Sequence, residues 1–173
     1  MDMKLLIAGL LLFATPLASM ASDPTSITSD TVLTHIKSVG AKQTVADYFS
    51  KPEWAAIKGG IASGNNKWLK VYASLEPVAD GEAGEDLSEA VSDAIPVQPF
   101  IVLPMLVSSD HATVEQLCTF TFEAKIPSGG VNAYLMRLEK ALRKAENRNQ
   151  REIANSCRRG IAVTRGNFKN SPN

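Results

Sequence analysis

The sequence predicts an all-α protein, a compact bundle of about six to eight helices with one disulfide. Apolar residues recur at helical spacing in successive segments, and Gly, Pro or Asn separates each segment from the next. The alternation of apolar and polar residues that marks a half-buried strand is almost absent. Only two cysteines, Cys118 and Cys157, are present, so only one intramolecular pairing is possible.

Residues 1–21 have the pattern of a secretory signal peptide. Lys4 supplies a positive charge, the run from Leu5 to Phe13 is apolar, and small residues precede a cleavage site after Ala21. The run is much shorter than the ~20 apolar residues of a membrane-spanning helix. We therefore expect a mature chain that begins at Ser22, has no membrane span and works in a bacterial periplasm.

Residues 22–164 are expected to form a single helical domain, and residues 165–173 a flexible tail. In an oxidising compartment the two cysteines should be bonded. Their wide separation in sequence argues against a redox-active pair, which keeps its cysteines close together. Closing a loop of about 40 residues stabilises the fold by roughly 4 kcal/mol on the chain-entropy estimate.

The first helices have recognisable ends. Ser29 or Asp30 is expected to cap a helix that Gly40 ends, and a second short helix follows it. Ser50 and Glu53 have the spacing of a capping box and predict the start of a third helix.

Two tryptophans lie on the apolar faces of the third and fourth helices. Trp54 belongs to the third, and Gly59-Gly60 near its end allows a close helix crossing. Asn65 is expected to start the fourth helix, which contains Trp68 and ends at Pro77. Both tryptophans are expected in the core.

The remaining helices follow an acidic loop at residues 80–86. Their expected ranges are Asp86 to Ile95, Phe100 to Val107 with an interruption at Pro104, Ser109 or Asp110 to Phe120, and Val131 to Val163 with a polar stretch at Asn147–Gln150. That stretch leaves open whether the last segment is one helix or two.

Charge is balanced overall but unevenly distributed. The chain has 18 basic and 18 acidic residues, and this balance argues against a nucleic-acid binder. The segment from Arg137 to Asn173 holds ten basic and three acidic residues, whereas Glu76 to Asp93 holds seven acidic residues and no basic one. The two segments either attract each other within the molecule or face different partners.

No metal or cofactor is expected. His111 and Glu115 lie one helical turn apart, but zinc needs three or four ligands and His35 is far away in the sequence. With Asp80 as the first ligand of a calcium loop, the required glycine and terminal glutamate positions hold Glu85 and Val91.

No motif for nucleophilic catalysis is present, since neither histidine lies in a known catalytic pattern. A pair of carboxylates for sugar hydrolysis would not stand out among so many acids. A non-enzyme is therefore favoured, and an enzyme is not excluded.

One block resembles a known arrangement. Trp68-Leu69, Pro77, Asp80, Leu87, Ala90-Val91, Pro99 and Val102-Leu103 are similar to a HEAT-like pair of antiparallel helices and to segments of small uncharacterised exported bacterial proteins. The resemblance implies helical packing and a binding role, and it assigns no role to any residue. HEAT-like arrays need about three repeats to stand alone.

The leading hypothesis is a periplasmic protein-binding module, such as an immunity or inhibitor protein, that recognises another protein through a charged helical surface. Glu82, Glu85 and Glu89 are the expected partner surface. The alternatives are a small cell-envelope hydrolase that uses carboxylates of Glu76 to Asp93, and a structural envelope or assembly factor.

Overall fold

The computed structural model describes residues 27–110, 112–121, 126–127 and 129–169. These residues contain no strand and form nine α-helices and one 3₁₀ turn, Glu76–Val78. The helices are α1 (Ser29–Val39), α2 (Ala41–Tyr48), α3 (Pro52–Ala62), α4 (Asn66–Leu75), α5 (Gly81–Ala94), α6 (Pro99–Asp110), α7 (Val114–Leu117), α8 (Gly130–Leu142) and α9 (Arg148–Lys169). The predicted all-α class is confirmed. The predicted signal peptide lies outside the described residues.

Helix α1 begins and ends through local backbone chemistry. Thr28 caps it, since its side chain accepts a hydrogen bond from the Thr31 amide, so the cap is one residue earlier than Ser29, the nearer of the two expected caps. At the other end Gly40 has φ +87° and donates its N–H to the Ile36 carbonyl. A positive φ favours glycine, which explains why α1 stops there and α2 starts in a new direction.

The expected capping box at the start of α3 is wrong. The residue that caps α3 is Lys51, in extended conformation and without a side-chain hydrogen bond. Ser50 is one residue too early, because the Lys51 amide closes a turn onto the Tyr48 carbonyl. Pro52 starts the helix instead, where its missing N–H costs nothing.

Helices α3 and α4 approach closely at one glycine. A Cβ atom built on Gly60 would lie 2.8 Å from Nε1 of Trp68 and closer still to two carbon atoms of the indole ring. The neighbouring Gly59 has open space around it. The expected close crossing is therefore present, and it depends on Gly60 alone.

Helix α5 begins earlier than the sequence predicts. The acidic loop expected at residues 80–86 is wrong, because Gly81 already opens the helix and Glu82 and Glu85 lie within it. Glutamates in the first turns of a helix are favoured by its macrodipole. Ala83 is only 5% exposed and lies one turn before the fully buried Leu87, so burial of the apolar face extends the helix through the glycines.

Helix α6 also differs from the sequence prediction, both at Pro104 and at its C-terminal end. It continues through Pro104, and Ser109 and Asp110 end it instead of capping the next helix. The actual cap is Thr113, which forms a capping box with Gln116 and opens the single turn of α7. The expected helix from Ser109 or Asp110 to Phe120 is wrong for this reason.

The predicted disulfide is confirmed. Cys118 follows α7 and is bonded to Cys157 of α9, with Cα atoms 5.1 Å apart and both residues fully buried. A Cβ atom on Gly160 would lie 2.8 Å from the Cys118 carbonyl carbon, so glycine is needed where α9 crosses α7. The Thr164 hydroxyl accepts a 2.9 Å hydrogen bond from the Phe120 amide and strengthens the same junction.

The C-terminal segment forms two helices, α8 and α9. The sequence alone left open whether it forms one helix or two. Helix α9 continues past Arg165, where the tail was expected to begin, and through Lys169. Arg165 forms a two-pronged ion pair with Glu139 of α8, with N–O distances of 2.8 and 3.1 Å.

A single buried cluster joins the helices. Its fully buried large members are Ile57, Ile61, Leu75, Leu87, Leu103, Tyr134, Leu135, Leu138, Leu142 and Ile161. Trp54 is buried as expected, whereas Trp68 is only partly buried and packs against the cluster. None of the described helices combines the length and the apolar composition that crossing a membrane requires.

Candidate functional site

The acidic stripe, defined as Glu82, Glu85 and Glu89, lies along the outer face of α5. The spacing of three and four residues keeps all three on one side of the helix, while the opposite side is buried through Leu87 and Val91. Glu82 and Glu85 are exposed as expected, whereas Glu89 is half-buried and takes part in an interaction within the protein.

Neither Glu82 nor Glu85 forms an ion pair with any described residue. Several other carboxylates are neutralised within the molecule. Their ion pairs are Asp30–Lys67, Asp86–Lys58, Glu115–Arg159, Glu139–Arg165 and Glu152–Arg148. Two uncompensated negative charges one turn apart repel each other mildly, and a basic partner would relieve that repulsion.

Asp86 lies on the same helix but turns toward α3. Its carboxylate accepts hydrogen bonds from Lys58 Nζ at 2.6 Å and from the Trp54 indole nitrogen at 2.7 Å. The Asp86 side chain is 21% exposed and that of Lys58 is 33% exposed, so water screens this pair only in part. The contact joins α3 to α5 and fixes the position of α5 next to Glu85.

One electrostatic contact between the acidic segment and the basic C-terminal segment lies at Asp93. Asp93 lies near Arg137, which lowers the pKa of the Asp93 carboxyl, but partial burial has the larger effect and raises it. The buried Tyr134 belongs to the same contact, since its hydroxyl donates to the Ser92 carbonyl at 2.8 Å. Arg148, Arg159 and Arg165 pair with glutamates outside the acidic segment.

The structure describes only one residue, Glu115, of the metal pair considered from the sequence. Glu115 binds Arg159 at 2.7 Å, and His111 lies outside the described residues. No group of three or more His, Cys, Asp or Glu side chains in the described ranges has the arrangement of a metal site. The candidate calcium loop forms the first turns of α5.

A second polar feature, missed from the sequence, surrounds His35. Its Nε2 atom lies 2.7 Å from the Asp47 carboxylate, and its ring lies edge-on to Tyr48 at 5.2 Å. Hydrogen bonds from Gln43 and then His35 lower the pKa of the Asp47 carboxyl. The two residues are twelve positions apart on α1 and α2, which the turn at Gly40 brings together.

His35 borders an open groove of about 540 Å³ together with Asp30, Thr31, Thr34, Ser38 and Tyr48. Nucleophilic catalysis requires a hydroxyl or thiol hydrogen-bonded to the base. No described serine or threonine hydroxyl is bonded to His35, so the arrangement orients an imidazole without activating a nucleophile.

The chain matches no protein-family model, no curated protein and no solved structure. The HEAT-like resemblance and the similarity to segments of exported bacterial proteins therefore stay predictions from the sequence.

Proposed function

We propose that this protein binds another protein through the acidic stripe on α5, as an immunity protein or an inhibitor does. The observation that supports this most is the absence of any ion pair at Glu82 and Glu85 among the described residues, although both are exposed. The partner would present a complementary basic surface.

The stripe is suited to recognition because its helix is fixed. The inner face of α5 is buried, and Asp86 connects the helix to Lys58 and Trp54 of α3. A helix backbone that is already rigid loses little conformational freedom when a partner binds. Uncompensated charge of one sign also speeds the encounter with a basic partner, chiefly through the association rate.

We propose further that the protein acts in a bacterial periplasm after cleavage behind Ala21. The signal-like pattern of residues 1–21 supports this, and the Cys118–Cys157 disulfide fits an oxidising compartment. The intact mass of the protein recovered from the periplasm should correspond to a chain that starts at Ser22. A full-length mass in the membrane fraction would contradict the localisation.

The binding experiment compares two variants with the same change of charge. E82K/E85K reverses the exposed part of the stripe, and E146K/E152K makes the matched change in the exposed residues at the start of α9. A partner captured from periplasmic extract by the wild-type protein is purified, and its association and dissociation rates with each variant are measured over a range of salt concentrations.

We expect E82K/E85K to slow association about tenfold or more at low salt, with a smaller effect on dissociation. The difference should shrink as salt rises, because added ions screen exposed charges. E146K/E152K should associate nearly as fast as the wild type. Equal slowing by both variants would mean that net charge matters and the stripe does not.

The hydrolase alternative makes a different forecast. If carboxylates of Glu76 to Asp93 cut a cell-envelope glycan, the purified protein alone would release soluble fragments, and neutral amide variants would abolish this release. An envelope assembly factor would show neither turnover nor a charge-dependent association rate at the stripe.

A further inference from the structure

A second charged surface lies at the connection between α8 and α9. The basic corner consists of five residues from the last turn of α8, the turn that follows it and the first half of α9: Lys140, Arg143, Lys144, Arg151 and Arg158. All five are exposed. None forms an ion pair with any residue in the described part of the chain.

Two arginines of the basic corner are fixed by neutral acceptors. Arg158 donates to the Leu142 carbonyl at 3.3 Å, where α8 ends, and to the Asn155 side chain at 3.1 Å. Arg151 donates to the Glu146 carbonyl at 2.9 Å, just before α9 begins. These bonds bring both guanidinium groups to one connection and leave their positive charges uncompensated.

Nearby carboxylates do not neutralise the corner. Glu139 is bound to Arg165, and Glu152 is bound to Arg148. Glu146 is the single acidic residue of the connection, and its carboxylate has no partner among the described residues. Five positive charges against this one leave the corner strongly basic.

Capping of α8 explains only part of this arrangement. Cations near a helix C-terminus interact favourably with its free carbonyls, and Arg158 forms such a bond with the Leu142 carbonyl. The Glu146 carbonyl that binds Arg151 lies beyond the end of α8. The side chains of Lys140, Arg143 and Lys144 form no hydrogen bond or ion pair with a described residue. Their contribution is therefore free charge at the surface.

We propose that the basic corner binds the phosphate headgroups of anionic phospholipids at a membrane surface. Guanidinium groups match phosphate oxygens with paired N–H donors. Met136 is 65% exposed and lies one turn before Lys140 on the outer face of α8, so an apolar side chain accompanies the basic ones, as in helices that rest on membranes. This surface is separate from the acidic stripe, and the inference does not depend on a protein partner.

Nucleic acid fits the corner less well. Single-stranded nucleic acid is held largely by bases stacked on aromatic side chains. The aromatic residues of α8 and α9 are Tyr134, which is buried, and Phe168, which lies at the far end of α9. The balanced net charge of the chain also argues against general binding to a polyanion as large as nucleic acid.

The test uses the protein recovered after export and sedimentation with lipid vesicles. Mixed phosphatidylglycerol and phosphatidylcholine vesicles are compared with pure phosphatidylcholine vesicles at low salt. K140Q/R143Q/K144Q removes three charges that no described contact uses, so the fold should be retained. The matched control, K37Q/K42Q/K70Q, removes three exposed lysine charges from α1, α2 and α4.

We expect the wild type to bind the mixed vesicles and not the neutral ones. Each basic residue near an anionic surface strengthens binding about fivefold, so the triple variant at the corner should bind on the order of 100-fold more weakly. The control should remain within about threefold of the wild type, because its charges lie away from the proposed contact.

Three results would overturn the proposal. The first is that the wild type does not bind the mixed vesicles. This result overturns the proposal even if inorganic phosphate or duplex DNA binds at the corner. The second is equal binding to neutral vesicles. The third is an equal loss in the corner variant and its control.

Discussion

Replacing Gly60 by alanine should destabilise the protein relative to the same replacement at Gly59. Both glycines lie near the end of α3, and they differ in their surroundings. A methyl group on Gly59 meets open space, whereas one on Gly60 falls against the indole of Trp68, 2.8 Å from its nitrogen and nearer to two ring carbons. The ring is rigid and partly buried, so it has to shift as a whole.

The comparison isolates the steric cost. Each replacement gains about 0.5–1 kcal/mol from the better helix propensity of alanine, and this gain cancels between the two variants. Forcing an extra methyl group into a packed contact costs about 1–3 kcal/mol. G60A should therefore be about 1–3 kcal/mol less stable than G59A, and G59A should be slightly more stable than the wild type.

Urea unfolding followed by far-UV circular dichroism measures these differences as shifts of the midpoint. In the background of Trp68→Ala the ring is gone, and G60A should then be as favourable as G59A. Equal stabilities of G59A and G60A in the wild-type background would refute the close crossing. A penalty for G60A that persisted without Trp68 would place the cause in the backbone instead of the indole.

Two further predictions concern the links between helices. The double variant C118A/C157A should lose about 4 kcal/mol of unfolding free energy, because the disulfide closes a loop with a sequence separation of 39; a loss below about 1 kcal/mol in urea unfolding would contradict this. Asp86→Asn keeps an acceptor for the neighbouring indole but removes the charge beside Lys58, and it should cost about 1–3 kcal/mol. The exposed Asp80→Asn should stay within about 0.5 kcal/mol of the wild type, and equal effects of the two variants would show that the ion pair contributes nothing.

The sequence predicts most helix ends where one strong local signal acts alone. Gly40 ends α1, and Asn65 caps α4 with its own side chain. Prediction fails where two local signals compete. Ser109 and Asp110 are typical capping residues, yet Thr113 with Gln116 offers the complete capping box and starts α7. Gly81 and Gly84 suggested a loop, but burial of the apolar side of α5 outweighs the low helix propensity of glycine.

In the candidate site, too, some features could be predicted from local sequence and others could not. The sequence predicts that Glu82 and Glu85 are exposed, because the apolar residues that follow them take the inner face. It places both in a loop, however, whereas the structure has them within α5. The bond between Lys58 and Asp86 spans 28 positions and that between His35 and Asp47 spans 12. Such pairs depend on how whole helices pack, and no local pattern in a single sequence reveals which helices will meet.

The chain has two tryptophans, and both lie before α5. Trp54 belongs to α3 and is 3% exposed. Trp68 belongs to α4, and its indole ring packs against Gly60 of α3. The helices joined by the disulfide, α7 and α9, contain none. Intrinsic tryptophan fluorescence therefore reports on the first half of the bundle alone, whereas circular dichroism averages over all the helices. Coincident unfolding curves from the two signals would show that both halves melt as one cooperative unit, and separate curves would show that the disulfide-bonded half has a stability of its own.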